Sequence, residues 1–235
     1  MKNQKSLIYI VNNYPVGFPT DRIKRIEDII KKDYPQIELI SIHFSQLKLK
    51  LIKESDGFIL SGSNYNVSDF YKNNSLRKRY QLESKLIKKV NKTPILAICF
   101  GFHLVAYNFN GRVLRMNNID KGDRIISLSI KKKDELIFEN KIYVNIHHLD
   151  YVLPEDSHIK KNFEILSKAE IDDFRTIQYM HHIKKPIFAS QFHPETHHLN
   201  YYYTNINDEK LVNKAKKNGE EIIKNFIEFC IQRDS

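Results

Sequence analysis

Apolar and polar positions follow two alternating rhythms along this chain. Short apolar runs such as Leu7-Ile-Tyr-Ile-Val11 and Ile95-Leu96-Ala97-Ile98 suit buried strands, and charged stretches with helical spacing separate them. The pattern predicts a strand at 6–11, then a helix near 20–33 capped by Thr20 or Asp21. A strand at 37–43, a short helix near 44–53 and a strand at 57–61 follow. Next come a charged helix near 75–91, a strand at 94–98 and a helix after Cys99. Such alternation implies an α/β fold with a mostly parallel central sheet flanked by helices. Between 112 and 187 the rhythm changes. β-like runs at 112–116, 124–131, 141–147, 163–168 and 174–181 are separated by polar turns and predict an antiparallel section. The stretch Ile222 to Ile231 has amphipathic helical spacing and places Cys230 in the core. With no internal repeat, Gly/Ser-rich linker or low-complexity tract, residues 1–235 are expected to form one domain.

The segment Pro94 to His103 carries the first chemical signal. An apolar strand ends at Cys99, with Ala97 two residues before the cysteine and Gly101 two after. This small-x-nucleophile-x-small spacing is that of a nucleophile elbow, with Cys in place of Ser. Strand and helix approach so closely at such a turn that larger side chains at these two positions would collide. A thiol at a helix N-terminus is also favoured as thiolate by the helix dipole. A buried structural cysteine remains the alternative until a base is found.

A base is available at the end of another apolar run, Pro186-Ile-Phe-Ala-Ser-Gln-Phe-His193-Pro194-Glu195. In open α/β sheets, functional groups gather at the carboxyl ends of strands. His193 and Glu195, two apart in extended chain, point to one face, and Pro194 biases His193 toward extended geometry. Glu195 could then accept a hydrogen bond from the imidazole and stabilise the imidazolium formed as it takes the thiol proton.

In these segments the chain resembles the class I glutamine amidotransferases, the triad-type glutaminase family, with γ-glutamyl hydrolases as a neighbouring branch. The matching residues are Ile98-Cys99-Phe100-Gly101, Gln191-Phe192-His193-Pro194-Glu195 and the strand-to-loop segment Gly57-Phe58-Ile59-Leu60-Ser61-Gly62-Ser63. The resemblance implies Cys99 as nucleophile, His193 as base and Glu195 as orienting acid. It also implies an oxyanion hole from backbone N–H groups near Gly62–Ser63 and at Phe100. Asn145-Ile-His147-His148-Leu-Asp150 looks like a divergent form of the Ser-His-Gly-Asp segment of GMP synthetase-type glutaminases. That likeness places His147, His148 and Asp150 near the substrate.

Three departures from the family pattern bear on specificity. His103 stands where the elbow usually continues to a glutamine-contacting Gln. Ser63 replaces a second Gly, and its Cβ resists the positive φ that an inward N–H could require. His147 replaces a small serine. The implied activity is hydrolysis of the γ-amide of glutamine through a γ-glutamyl thioester, with ammonia passed to a separate synthetase. The alternative is a stand-alone hydrolase of a substituted γ-glutamyl amide, and a non-catalytic binding module is a third possibility. The chemistry calls for no cofactor.

Composition changes little. With 41% hydrophobic and 28% charged residues, and no apolar stretch long enough to span a membrane, the chain reads as a cytoplasmic protein. The two cysteines, without metal-ligand spacing, suit a reducing compartment. The net charge of +10 favours anionic partners, but its lysines are scattered and no stacking aromatics accompany them, so nucleic acid is not expected. The pairs His147-His148, His181-His182 and His197-His198 are adjacent, point to opposite faces of a strand and do not predict a metal site.

Overall fold

The buried strands 57–60 and 95–98 sit in the middle of a parallel sheet, as their uniformly apolar sequences require. The computed structural model describes residues 6–18, 21–117, 124–195 and 208–232; Thr20 and the pair His197-His198 lie outside them. In chain order the first elements are β1 (Leu7–Asn12), α1 (Asp21–Asp33), β2 (Glu38–His43) and β3 (Gly57–Leu60). They are followed by α2 (Asn74–Arg79), α3 (Gln81–Lys89), β4 (Ile95–Ile98) and α4 (Phe100–Asn108). Then come β5 (Val113–Arg115), β6 (Arg124–Ser129), β7 (Lys141–Ile146), β8 (Asp150–Val152) and α5 (Ser157–Asn162). The chain ends with β9 (Phe163–Ile171), β10 (Phe174–His182), β11 (Ile187–Ser190) and α6 (Glu209–Gln232).

Among the described residues the main sheet has seven strands in the order β2-β1-β3-β4-β11-β10-β9. The strands from β2 through β11 run parallel, and β10 and β9 complete the sheet antiparallel. Alternate residues of each strand feed two cores. Ile8, Ile10, Ile59, Leu96 and Ile98 pack on one face with α1 and α6. Tyr9, Val11, Phe58, Leu60 and Ala97 pack on the other with α3 and α4. Cys230 belongs to the first core, 1% exposed, and a Cβ on Gly57 would stand 2.5 Å from its Sγ.

The predicted antiparallel section divides into three parts. β9 and β10 widen the main sheet, whereas β5–β8 and β6–β7 form separate two-stranded ribbons, the first packed beside α4 and the second against α6. Two expected helices also differ. The stretch 44–53 forms two 3-10 turns, Phe44–Gln46 and Leu49–Lys53. The helix expected near 75–91 breaks at Tyr80, whose buried ring stacks on Phe44 and whose hydroxyl donates to the Asn13 carbonyl. Tertiary packing of one aromatic residue thus overrides a continuous helical pattern.

Candidate active site

Parallel register places the ends of β1, β3, β4 and β11 side by side, with Ile98 opposite Ser190 and Leu60 opposite Ala97. The residues that follow these strands therefore meet at one edge of the sheet. Cys99 is the turn between β4 and α4, with φ of 50° and ψ of −96°. A residue with a Cβ seldom occupies this conformation, so the surrounding structure must hold it there. The Cys99 N–H donates to the Ser190 carbonyl (2.8 Å) and α4 continues from the turn. A Cβ on Gly101 would lie 2.7 Å from the Leu60 carbonyl oxygen and 3.0 Å from the Leu60 Cβ. The small residue is thus required by the close approach of helix to sheet.

His193 follows β11, and its Nδ1 is 2.8 Å from Glu195 Oε1. Both residues are buried, and the His193 N–H donates to the Asn145 carbonyl at the end of β7 (2.9 Å). From the other side, α6 packs so closely that a Cβ on Gly219 would run into the Pro194 carbonyl. The Gly62 backbone faces the same imidazole. A Cβ there would stand 3.0 Å from His193 Cε1 and 3.1 Å from the Tyr14 hydroxyl. Among the described residues neither Gly62 nor Ser63 has positive φ. The glycine is needed for space, and Ser63 meets no left-handed strain of the kind expected from its Cβ.

These groups open onto a cavity of about 440 Å³. Cys99, Phe100, Ser63, His193, His103, His147, His148 and Asp150 line it, while Glu195 lies behind His193 and Gly62 beside it. The Phe100 side chain turns away from the cavity into an aromatic cluster with Tyr80 and Phe70, which leaves its backbone at the helix start. The wall residues differ in their bonding. Both carboxylate oxygens of Asp150 accept from Ser68, one from its N–H (2.8 Å) and one from its hydroxyl (2.6 Å). His148 Nδ1 donates to the Asp150 carbonyl (2.9 Å), and burial pushes its imidazole down to about 3. That leaves Nε2 as an unprotonated acceptor. His103 is 3% exposed, and its Nε2 has no hydrogen-bond partner. The two rings lie 6.4 Å apart. Asp150 is thus chiefly a clamp on the loop before α2, whereas His103 and His148 hold polar atoms in reserve.

Electrostatics set the resting protonation. Burial pushes the Cys99 thiol up to about 12, partly offset by the nearby Arg22 guanidinium. Burial therefore overrides the helix-end effect expected from sequence, and Cys99 rests as a thiol whose Sγ lies 3.8 Å from the His147 carbonyl oxygen. Burial and Arg22 together hold the His193 imidazole below its ordinary value, although Glu195 pulls it upward. Burial would raise the Glu195 carboxyl, but His193 and Arg22 outweigh it and hold it below its ordinary value. The resting site is thus a neutral thiol, a neutral imidazole and a carboxylate.

Sequence reasoning missed Arg22, which lies 3.9 Å from Glu195 Oε1 and lines the cavity, because α1 carries it from a distant part of the chain. Arg124, paired bidentately with Asp172 (2.7 and 2.8 Å), lines the cavity too. Elsewhere, among the described residues, Asp134, Glu135 and His181 lie close enough together to hold an ion. Asp134 there already accepts from the Tyr179 hydroxyl, and the two ring nitrogens of His181 meet Asp134 and Glu164.

Fold and site together define an α/β protein with a cysteine elbow and a buried imidazole–carboxylate pair at the carboxyl edge of its sheet. Residues 24–210 match the family model described as glutamine amidotransferase class-I, and the chain belongs to that family. It is 30% identical over 139 residues to a subunit of the glutamine-hydrolyzing GMP synthase of Pyrococcus abyssi, covering 58% of this chain and 60% of that protein. The corresponding GMP synthase subunit of Methanocaldococcus jannaschii is 30% identical over 142 residues, covering 59% and 61%. These matches span less than two thirds of the relatives' length. Among solved structures, a putative GMP synthase subunit from Thermoplasma acidophilum superposes with a TM-score of 0.70 at 21% identity, over 98% of this chain and 96% of that one. A glutamine amidotransferase from Thermotoga maritima gives 0.71 at 16% identity, over 97% and 99%. At these identities the superpositions establish a common fold. Among the described residues no helix is long and apolar enough to cross a membrane.

Proposed function

We propose that the protein is a cysteine amidohydrolase that cleaves the γ-amide of glutamine and supplies ammonia to a separate synthetase. The observation that carries this is the strained Cys99 turn in one cavity with the His193–Glu195 pair. His193 Nε2 takes the thiol proton as Cys99 Sγ attacks the amide carbon, so charge develops on His193 only in the reaction. Glu195 fixes the tautomer through Nδ1–H and stabilises the imidazolium. The tetrahedral oxyanion is received by backbone N–H groups at Gly62–Ser63 and at Phe100. Collapse expels ammonia with the proton from His193, and water attacking the thioester releases glutamate and restores the thiol. His103 and His148, which line the cavity, bind the amino-acid end. The relatives named as GMP synthase subunits support a synthetase partner of that type.

The second reading, a hydrolase of a γ-glutamyl amide with an anionic substituent, is favoured by two observations. Arg22 and Arg124 both line the cavity, and His103 stands in place of the usual Gln. The test is steady-state release of glutamate by the purified protein from glutamine and from a panel of N-substituted γ-glutamyl amides. Release of ammonia from glutamine, lost in Cys99→Ala, supports the first reading. Fast cleavage of an anionic amide with glutamine poor replaces it with the second.

A further inference from the structure

Glu83 on α3 is a carboxyl group that the reaction above does not use, yet it is 1% exposed and bonded toward the site. Its Oε1 accepts from Asn13 Nδ2 (3.0 Å), joining residues seventy apart in sequence. Asn13 follows β1 and grips the loop after β3 at several points. Its N–H donates to Ser61 Oγ (2.9 Å), and its Nδ2 also donates to the Ser61 carbonyl (3.1 Å). Its own carbonyl accepts from Ser63 Oγ (2.6 Å) and from the Tyr80 hydroxyl (3.1 Å). Ser61 Oγ in turn donates to the Gly62 carbonyl (2.8 Å).

That last bond fixes the orientation of one peptide plane. In a trans peptide the C=O and the following N–H point in opposite directions, so holding the Gly62 carbonyl fixes the direction of the Ser63 N–H. We infer that Glu83 is a positioning residue: through Asn13 it locks Ser61, and through Ser61 it holds the Gly62–Ser63 peptide in the orientation that receives the oxyanion. The cost of the arrangement favours a functional role. Glu83 Oε2 and Asn13 Oδ1 are both buried without a partner, and such orphaned atoms are disfavoured unless function retains them. Burial pushes the Glu83 carboxyl up to about 8, so near neutral pH it is an uncharged hydrogen-bonding group for which a glutamine amide is a matched substitute.

The inference rests on the amidohydrolase reading, and its test has one arm that does not. Glu83→Leu keeps the volume and removes the acceptor, Glu83→Gln keeps the acceptor, and Asn13→Ala removes the link from the other side. With glutamine, or with the best γ-glutamyl amide, Glu83→Leu and Asn13→Ala should lower kcat by about 10²-fold, the scale of one oxyanion donor, with KM changed less than about twofold. Alkylation of Cys99 by iodoacetamide, which needs no oxyanion hole, should proceed at the parent rate, and Glu83→Gln should recover kcat to within about threefold. Amide hydrogen exchange over Ser61–Ser63 should quicken in Glu83→Leu and stay slow in Glu83→Gln. Unchanged kcat in Glu83→Leu, a loss in Glu83→Gln equal to that in Glu83→Leu, or slowed alkylation alongside kcat would overturn the inference. If the parent protein cleaves no γ-glutamyl amide, the proposed activity fails, and the exchange measurement alone decides the role of Glu83. Equal exchange in all variants would then refute it.

Discussion

The Leu60 carbonyl oxygen lies 2.7 Å from the point a Cβ on Gly101 would occupy. A backbone oxygen cannot rotate away as a side chain can, so helix α4 and strand β3 would have to separate to admit a methyl group. Gly101→Ala should therefore destabilise the fold by about 1–3 kcal/mol, the usual scale of overpacking, and displace Cys99 as well. Urea denaturation reads the first effect and glutamate release the second. A variant of parent stability would show that α4 lies farther from the sheet than this.

Cys99→Ala should abolish amide hydrolysis and leave the folding stability within about 1 kcal/mol of the parent, because a small side chain leaves a position already held by the turn. A diazo-ketone glutamine analogue should label Cys99 and spare Cys230, which lies sealed against Gly57 in the core. Peptide mapping that found the label on Cys230, or activity in Cys99→Ala, would remove Cys99 as nucleophile.

The pH dependence follows from the same burial. His193 must be neutral to accept the thiol proton, and burial with Arg22 holds it below its ordinary value of 6.5. kcat/KM should thus fall on the acid side with a midpoint below 6.5 and stay level above it. Glu195 raises the His193 value by its charge and hydrogen bond. Glu195→Gln should therefore move the acid limb to still lower pH while slowing turnover. His193→Ala, which removes the base, should lose about 10²- to 10⁴-fold, more than Glu195→Gln. An acid limb moving upward in Glu195→Gln, or equal losses in the two variants, would give Glu195 a different role.

The parallel strands were legible because each is a short apolar run bounded by Pro, Gly or polar residues. Cys99 and His193 were legible because each ends such a run. Local pattern does not reveal distant partners. The break at Tyr80 depends on Phe44 and on the Asn13 carbonyl, both remote in sequence. β9 and β10 read as antiparallel strands, but their union with the main sheet is set by the pairing of β10 with β11. Nothing in the local pattern sets Arg22 apart from the other charges of α1, or Glu83 from those of α3. Only the packing of α1 and α3 against the sheet brings them to the site. The thiolate expected from the helix end fails for a related reason, since the depth of burial is a tertiary property.

His103 tests substrate choice. It is buried in the first turn of α4 after Cys99 and lines the cavity, where the family pattern places a glutamine-contacting Gln. If glutamine is the substrate, His103→Gln should keep or raise kcat/KM for glutamine. If the substrate carries an anionic substituent, the same change should raise KM for that amide. A large loss of glutamine hydrolysis in His103→Gln would instead make the histidine an adapted glutamine contact.

The last prediction separates a glutaminase that serves a synthetase from a stand-alone hydrolase. A glutaminase feeding a synthetase gains nothing by releasing ammonia into solvent, so turnover is expected to be coupled to docking. The coupling has a structural target. Cys99 rests as a buried thiol with its Sγ 3.8 Å from the His147 carbonyl oxygen, so docking that shifts the His147 loop would free the nucleophile. The purified protein should hydrolyse glutamine slowly. Adding the nucleotide-loaded synthetase component of GMP synthase should accelerate it by about 10²-fold, within the range that a correctly placed nucleophile–base pair contributes. Raised salt should weaken the activation if the surface carrying the net charge of +10 takes part in docking, because exposed charges are screened within about 10 Å at 0.1 M. Steady-state ammonia release, with and without the partner and across a salt series, makes the measurement. Full turnover by the protein alone, unchanged by any synthetase, would favour the stand-alone hydrolase.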